Sequence, residues 1–130
     1  MNPDLIAKAT AARDRALAPY SGFKVGAALE TGGGQIYTGC NIENASYGLT
    51  VCAERVALWK ALSEGATDFR RIAVVTGAPT LTPPCGACRQ MLWEYCGNIV
   101  VELHSLKGLD QEHRLADLLP FPFDSRNLKA

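Results

Sequence analysis

Arg71-Ile72-Ala73-Val74-Val75-Thr76 is the stretch on which the fold turns. A short apolar run of this kind suits a strand buried on both faces, which needs a layer of structure on each side. Upstream, Cys52 to Glu64 reads as a helix ended by Gly65. Downstream, a loop with Pro79, Pro83 and Pro84 leads into a second helix, Gly86 to Tyr95, ended near Gly97. Ile99 to Leu103 is another apolar strand, Gln111 to Arg114 an edge strand, and Leu115 to Leu119 a short helix stopped by Pro120. Toward the N-terminus, Val25 to Glu30 and Gln35 to Cys40 form a hairpin about Thr31-Gly32-Gly33-Gly34. Asn41 to Thr50 is a polar loop. Asn2 caps a first helix with Pro3 in its first turn, and Leu5, Ala9, Ala12 and Ala16 keep helical spacing until Pro19. A helix, a hairpin, then alternating helices and strands predict a three-layer α/β/α domain with a mixed central sheet, spanning residues 1–130.

Composition narrows the function classes. At 130 residues the chain can bury a core without disulfide staples, and 48% apolar with 20% charged residues fits a globular enzyme. Thirteen basic residues balance thirteen acidic ones. No basic stripe is present, so a nucleic-acid partner is not expected, and a small neutral substrate is. The five cysteines, Cys40, Cys52, Cys85, Cys88 and Cys96, are a poor disulfide framework. Met1 to Arg15 does not read as a signal peptide, and no apolar run reaches membrane-spanning length. The expected setting is cytoplasmic, with no membrane partner.

The chemistry lies where the two inner helices begin. Cys52-Ala53-Glu54 and Pro84-Cys85-Gly86-Ala87-Cys88 each open a helix. Helix N-termini favour thiolate over thiol. Three cysteine ligands with an open fourth position is the arrangement of catalytic zinc, whereas four protein ligands is the structural one. The pattern fits the zinc base-deaminase signature with Cys in place of His. Glu54, two residues after Cys52, is placed to shuttle protons without being a ligand. Arg55 shares a helix face with Cys52. Three thiolates leave a zinc site with a net negative charge, and a guanidinium bonded to a sulfur would offset part of it. Cys40 and Cys96 show no ligand spacing and read as ordinary buried thiols.

These motifs, with Tyr20-Ser21-Gly22-Phe23, Val25-Gly26-Ala27-Ala28, Gly39-Cys40-Asn41-Ile42-Glu43-Asn44-Ala45, Cys52-Ala53-Glu54-Arg55 and Pro84-Cys85-Gly86-Ala87-Cys88-Arg89-Gln90, resemble cytidine deaminase of the small homotetrameric class. The resemblance runs from about Tyr20 to Leu128. It implies a cytidine-deaminase-like fold, one Zn²⁺ per subunit on Cys52, Cys85 and Cys88, and Glu54 as proton shuttle. It implies nucleoside binding by Phe23, Asn41 and Glu43, the last two on the ribose, and contacts to the base from the backbone of Ala53 and Cys85. Tyr47 and Phe123 resemble aromatics that a neighbouring subunit of a homotetramer contributes. Leu118-Leu119-Pro120-Phe121-Pro122-Phe123 holds a second aromatic, so Phe121 competes with Phe123 for that place.

The implied reaction is hydrolytic deamination of cytidine and 2′-deoxycytidine to the uridines, in pyrimidine salvage. Three other readings share some of the residues. A blasticidin-S-type nucleoside deaminase shares most of the motifs. A thioredoxin-like protein would use Cys85-Gly86-Ala87-Cys88 but leaves Cys52 and Glu54 without a role. A structural zinc module would take Cys96 as fourth ligand.

Overall fold

In the computed structural model of the protein, which describes residues 1–129, the apolar run at 72–75 lies inside β3 (Phe69–Thr76). This is the middle strand of a five-stranded sheet, ordered β2-β1-β3-β4-β5. β1 (Val25–Thr31) runs antiparallel to both β2 (Ile36–Cys40) and β3. β3 and β4 (Val100–Ser105) are parallel, and β5 (Leu109–Arg114) returns antiparallel to β4. The sheet is mixed, as expected.

Side chains alternate across a strand, so β3 feeds two cores. Ile72 and Val74 join Ala27, Leu29, Val101 and Leu103 beneath α2 (Ala53–Ser63) and α3 (Gly86–Cys96), which contribute Ala57, Leu58 and Leu92. Ala73 and Val75 face the other way and pack with Ala28 against Leu5 and Ala9 of α1 (Pro3–Arg13). Asn2 caps α1, its Oδ1 accepting the amides of Asp4 and Leu5. α4 (Leu115–Leu118) closes β5 onto the α3 side.

α1 does not run toward Pro19. It ends at Arg13, although Ala16 is buried as its spacing suggests. The chain leaves the helix so that Leu17 can lie beside Ile42: the Leu17 amide donates to Asn41 O at 3.0 Å, and the Glu43 amide to Leu17 O at 2.8 Å. Backbone pairing with a distant loop overrides helical spacing here. A single 3₁₀ turn, Tyr47–Leu49, interrupts the 41–50 loop, and a second, Ser125–Leu128, closes the described chain.

Two close approaches set where α2 begins. Gly39 of β2 has no side chain, and a Cβ there would lie 2.5 Å from Ala53 O and 2.5 Å from Ala57 N. Only glycine lets the first turn of α2 sit flat on the sheet. Arg89 then links the start of α3 to its far neighbours, donating from Nε to Pro84 O (2.7 Å) and from Nη1 to Leu118 O (2.6 Å).

Candidate active site

Two helix starts converge on three sulfurs. Cys52 is the N-cap of α2 and Cys85 the N-cap of α3, both in extended backbone, and neither side chain makes a capping bond. A Ser or Asp in those places would turn its oxygen back onto the helix amides. The thiols instead project away, and Cys88 rises from the first turn of α3. The Cys52, Cys85 and Cys88 sulfurs all lie within 4.8 Å of one another, Cys52 and Cys85 at 3.9 Å. A Zn–S bond of ~2.3 Å in tetrahedral geometry puts sulfurs about 3.8 Å apart. The donor set fits zinc in chemistry and in spacing.

Cys96, the supposed fourth ligand of a structural module, closes α3 at its other end. It lies roughly 16 Å along the axis from Cys85, at about 1.5 Å per residue. It packs against the α2/α3 core, where burial pushes its thiol up to about 12. Among the described residues it joins no ligand cluster.

The charges around the sulfurs are arranged. The neighbouring Cys88 thiol, and then Arg55, whose Nη2 donates to Cys52 Sγ at 3.3 Å, bring the Cys52 thiol down to about 5. Cys88 is pushed the opposite way, by the neighbouring Cys52 and by burial. A metal that takes all three thiolates displaces whatever protons the thiols still hold. Glu54 follows in the first turn of α2 and is 5% exposed. Burial, reinforced by the charge on Cys52, pushes its carboxyl up to about 7. A carboxyl that gains and loses its proton near neutrality is suited to acid–base work.

Phe23, Asn41, Cys52, Ala53, Glu54 and Cys85 line one cleft of about 210 Å³. Asn41 is buried, and its amide is already engaged: Oδ1 accepts the Val25 amide (2.8 Å), and Nδ2 donates to Phe23 O (2.7 Å). It pins the approach to β1 and keeps one amide hydrogen and one lone pair for a ligand. Glu43 is not in this cleft. It lines the adjoining pocket of about 380 Å³ with Tyr20, Ser21, Tyr47 and Thr50. Its Oε1 accepts the amides of Tyr20 and Ser21, both at 3.0 Å, and Oε2 accepts the Ser21 hydroxyl. Those bonds, that from the Ser21 hydroxyl foremost, hold its carboxyl below its usual range. Thr50 borders both cavities, a position the motifs did not single out.

The C-terminal aromatics stand apart from both cavities. Phe123 is anchored through its backbone, Gln90 Nε2 donating to its carbonyl at 2.6 Å, while 61% of the residue is exposed. Next to it Asp124 accepts from Trp93 Nε1 at 3.0 Å and pairs with Arg126. Phe121 is fully exposed at φ 50°. Trp93 and Gln90, both on α3, fasten the tail to the helix that carries Cys88, which only the folded chain reveals.

The sequence model described as "Cytidine and deoxycytidylate deaminase zinc-binding region" matches residues 2–103. A cytidine deaminase of Sporosarcina psychrophila is 49% identical over 125 residues, covering 95% of this chain and 92% of its own. The crystal structure of cytidine deaminase from Burkholderia pseudomallei superposes with a TM-score of 0.91 at 48% identity, covering 95% of this chain and 100% of that one. A blasticidin-S deaminase of Bacillus cereus is more distant, 31% identical over 107 residues and 76% of each chain.

Proposed function

The chain belongs to the cytidine and deoxycytidylate deaminase family, and we propose that it hydrolyses cytidine and 2′-deoxycytidine to the uridines with release of ammonia. The observation that carries this reading is the buried Glu54 carboxyl in one cleft with Cys52 and Cys85, with buried Cys88 completing three sulfurs at zinc spacing. Cys52, Cys85 and Cys88 would hold zinc, which supplies a water of lowered pKa and Lewis acidity. The base enters the cleft against Phe23, with the backbone of Ala53 and Cys85 along its edge. Asn41 and Glu43 take the ribose hydroxyls. Glu54 accepts a proton from water and delivers it to ring nitrogen 3 as the oxygen adds to carbon 4. It then moves the new hydroxyl proton to the amine, the carbon–nitrogen bond breaks, and ammonia leaves. Arg55, bonded to Cys52, draws charge from the sulfurs.

The same proposal extends to assembly and setting. Tyr47, Leu49, Phe121 and Phe123 leave large apolar surfaces exposed, as expected of a homotetramer in which Tyr47 and Phe123 complete a neighbour's site. One catalytic unit spanning the chain, a cytoplasmic setting and a place in pyrimidine salvage belong to this reading; the free thiols support the setting. A blasticidin-S-type activity has the weaker support, 31% identity against 49%. Comparing turnover of the two substrates separates them.

The test is loss of the cytidine absorbance band on adding the protein, and its persistence after zinc chelation. Glu54→Gln should fold, keep its zinc and lose at least ~10²-fold in turnover. A zinc-loaded Gln variant with near-normal turnover would remove Glu54 from the mechanism.

A further inference from the structure

Beside the nucleoside cleft, across Phe23, lies a cavity of about 340 Å³ between the end of α1 and the turn at 77–79. Its charged lining residues are Arg13 and Lys24, and among the described residues no carboxylate lines it. Arg13 reaches it because residue 77 is glycine: a Cβ there would sit 2.8 Å from Arg13 Nη2 and 3.5 Å from Cζ. The guanidinium thus lies over bare backbone, its side chain 22% exposed. Its Nε is buried with no hydrogen-bond partner among the described residues. The nearest carboxylate is Asp14, whose side chain is 73% exposed and whose Oδ1 stands 3.9 Å from Nη1, beyond hydrogen-bond range. Lys24 enters no ion pair among the described residues.

A guanidinium at the last turn of a helix is accounted for by the negative end of the dipole. That does not account for a buried Nε without a partner, for the second cation beside it, or for the cavity they share. A planar fork of N–H groups beside an ammonium matches a tetrahedral oxyanion. We propose that Arg13 and Lys24 form an anion subsite for a phosphoryl group. That group is either the phosphate of a cytosine nucleotide whose base lies in the cleft beyond Phe23, or free inorganic phosphate. The binding does not depend on deamination.

The experiment titrates zinc-loaded protein with sodium phosphate against sodium chloride at equal ionic strength, reading heat and melting temperature. Saturable phosphate binding is expected, weakened roughly 10-fold or more in Arg13→Gln and in Lys24→Gln, on the scale of one lost charge-assisted hydrogen bond. Arg13→Lys keeps the charge but not the fork, and should bind between the parent and Arg13→Gln. Lys24 is exposed, so its variant carries the test should Arg13→Gln fold poorly. A second titration uses cytidine 5′-monophosphate and cytidine on the Glu54→Gln protein. A nucleotide source requires the monophosphate to bind more tightly than cytidine, with that advantage lost in Arg13→Gln and competed by phosphate. A free-phosphate source requires phosphate to bind while the monophosphate shows no dependence on Arg13. The proposal is overturned if neither phosphate nor the monophosphate binds beyond chloride and cytidine. It is equally overturned if both charge-removing variants bind phosphate as the parent does, leaving Arg13 a helix-end cation.

Discussion

Gly39→Ala tests whether the position of α2 governs the chemistry. A Cβ at residue 39 would sit 2.5 Å from Ala53 O and from Ala57 N, where ordinary contact begins at 3.4 Å. Relief therefore requires a movement of about 0.9 Å, the difference of those two distances. Both obstructing atoms are backbone, so no side-chain rotation can absorb it, and the first turn of α2 must lift from β2. Overpacking of this kind costs about 1–3 kcal/mol in stability. One of the two obstructing atoms, Ala53 O, lies between Cys52 and Glu54. A misplacement near 1 Å can cost ~10²-fold in rate, so turnover per zinc-loaded molecule should fall roughly 10- to 100-fold. Urea unfolding, zinc content and cytidine turnover are measured on one preparation. Gly33→Ala is the control, since its Cβ meets nothing closer than Thr31 Oγ1 at 3.9 Å; it should stay within about 0.5 kcal/mol of the parent. Lost stability with unchanged turnover at full zinc occupancy would refute the claim that β2 positions the site. Unchanged stability would refute the packing argument itself.

Arg55→Gln should lower cytidine turnover roughly 10-fold at full zinc occupancy, the scale for groups that bond to metal ligands; an unchanged rate would leave Arg55 a packing residue. Asp124 is held below its ordinary 3.8, by Arg126 first and Trp93 next. A depressed folded value means the unfolded chain takes up the proton first, so the stabilisation is present above that ordinary value and fades as pH falls below it. Tryptophan fluorescence should show the tail loosening in acid; Asp124→Asn should abolish that pH dependence, and an identical acid transition in the variant would clear Asp124 of the role. Phe123→Ala should raise KM by roughly 5- to 150-fold, on the scale of ~1–3 kcal/mol per stacked base, with zinc retained. A silent Phe123→Ala with a harmful Phe121→Ala would transfer the role to Phe121, and a fully active monomer on dilution would refute the shared site.

Features written in local sequence were legible. The 72–75 run specified a strand covered on both faces because its alternate side chains are all apolar, and Ile72 and Val74 do face one core while Ala73 and Val75 face the other. The thiol spacing marked a metal cluster because two residues between cysteines in one helical turn leave both sulfurs on one side. Features decided by distant pairing were not legible. Ala16 keeps helical spacing, yet α1 ends at Arg13, because Leu17 bonds to the backbone of Asn41 and Glu43. Asn41 itself reads equally as a loop cap and as a sugar ligand. The fold shows the first role in two hydrogen bonds and leaves the amide free valences for the second. Glu43 is likewise committed to the Tyr20–Ser21 backbone, in a pocket beside the zinc cleft.

Gly39 and Gly77 show why glycines were the least readable residues. In sequence each passes for a hairpin or loop residue. In the fold each marks a place something else must occupy, the first turn of α2 in one case and the Arg13 guanidinium in the other. Neither has a left-handed backbone that would explain it by conformation, so the reason for each is the missing Cβ. At Gly39 that absence brings Cys52 and Glu54 down onto the sheet, toward Cys85 and Cys88 at the head of α3. The Cys52–Glu54 spacing visible in sequence is therefore seated by a residue on a separate strand, which has no chemistry of its own and leaves room for the helix that carries the pair.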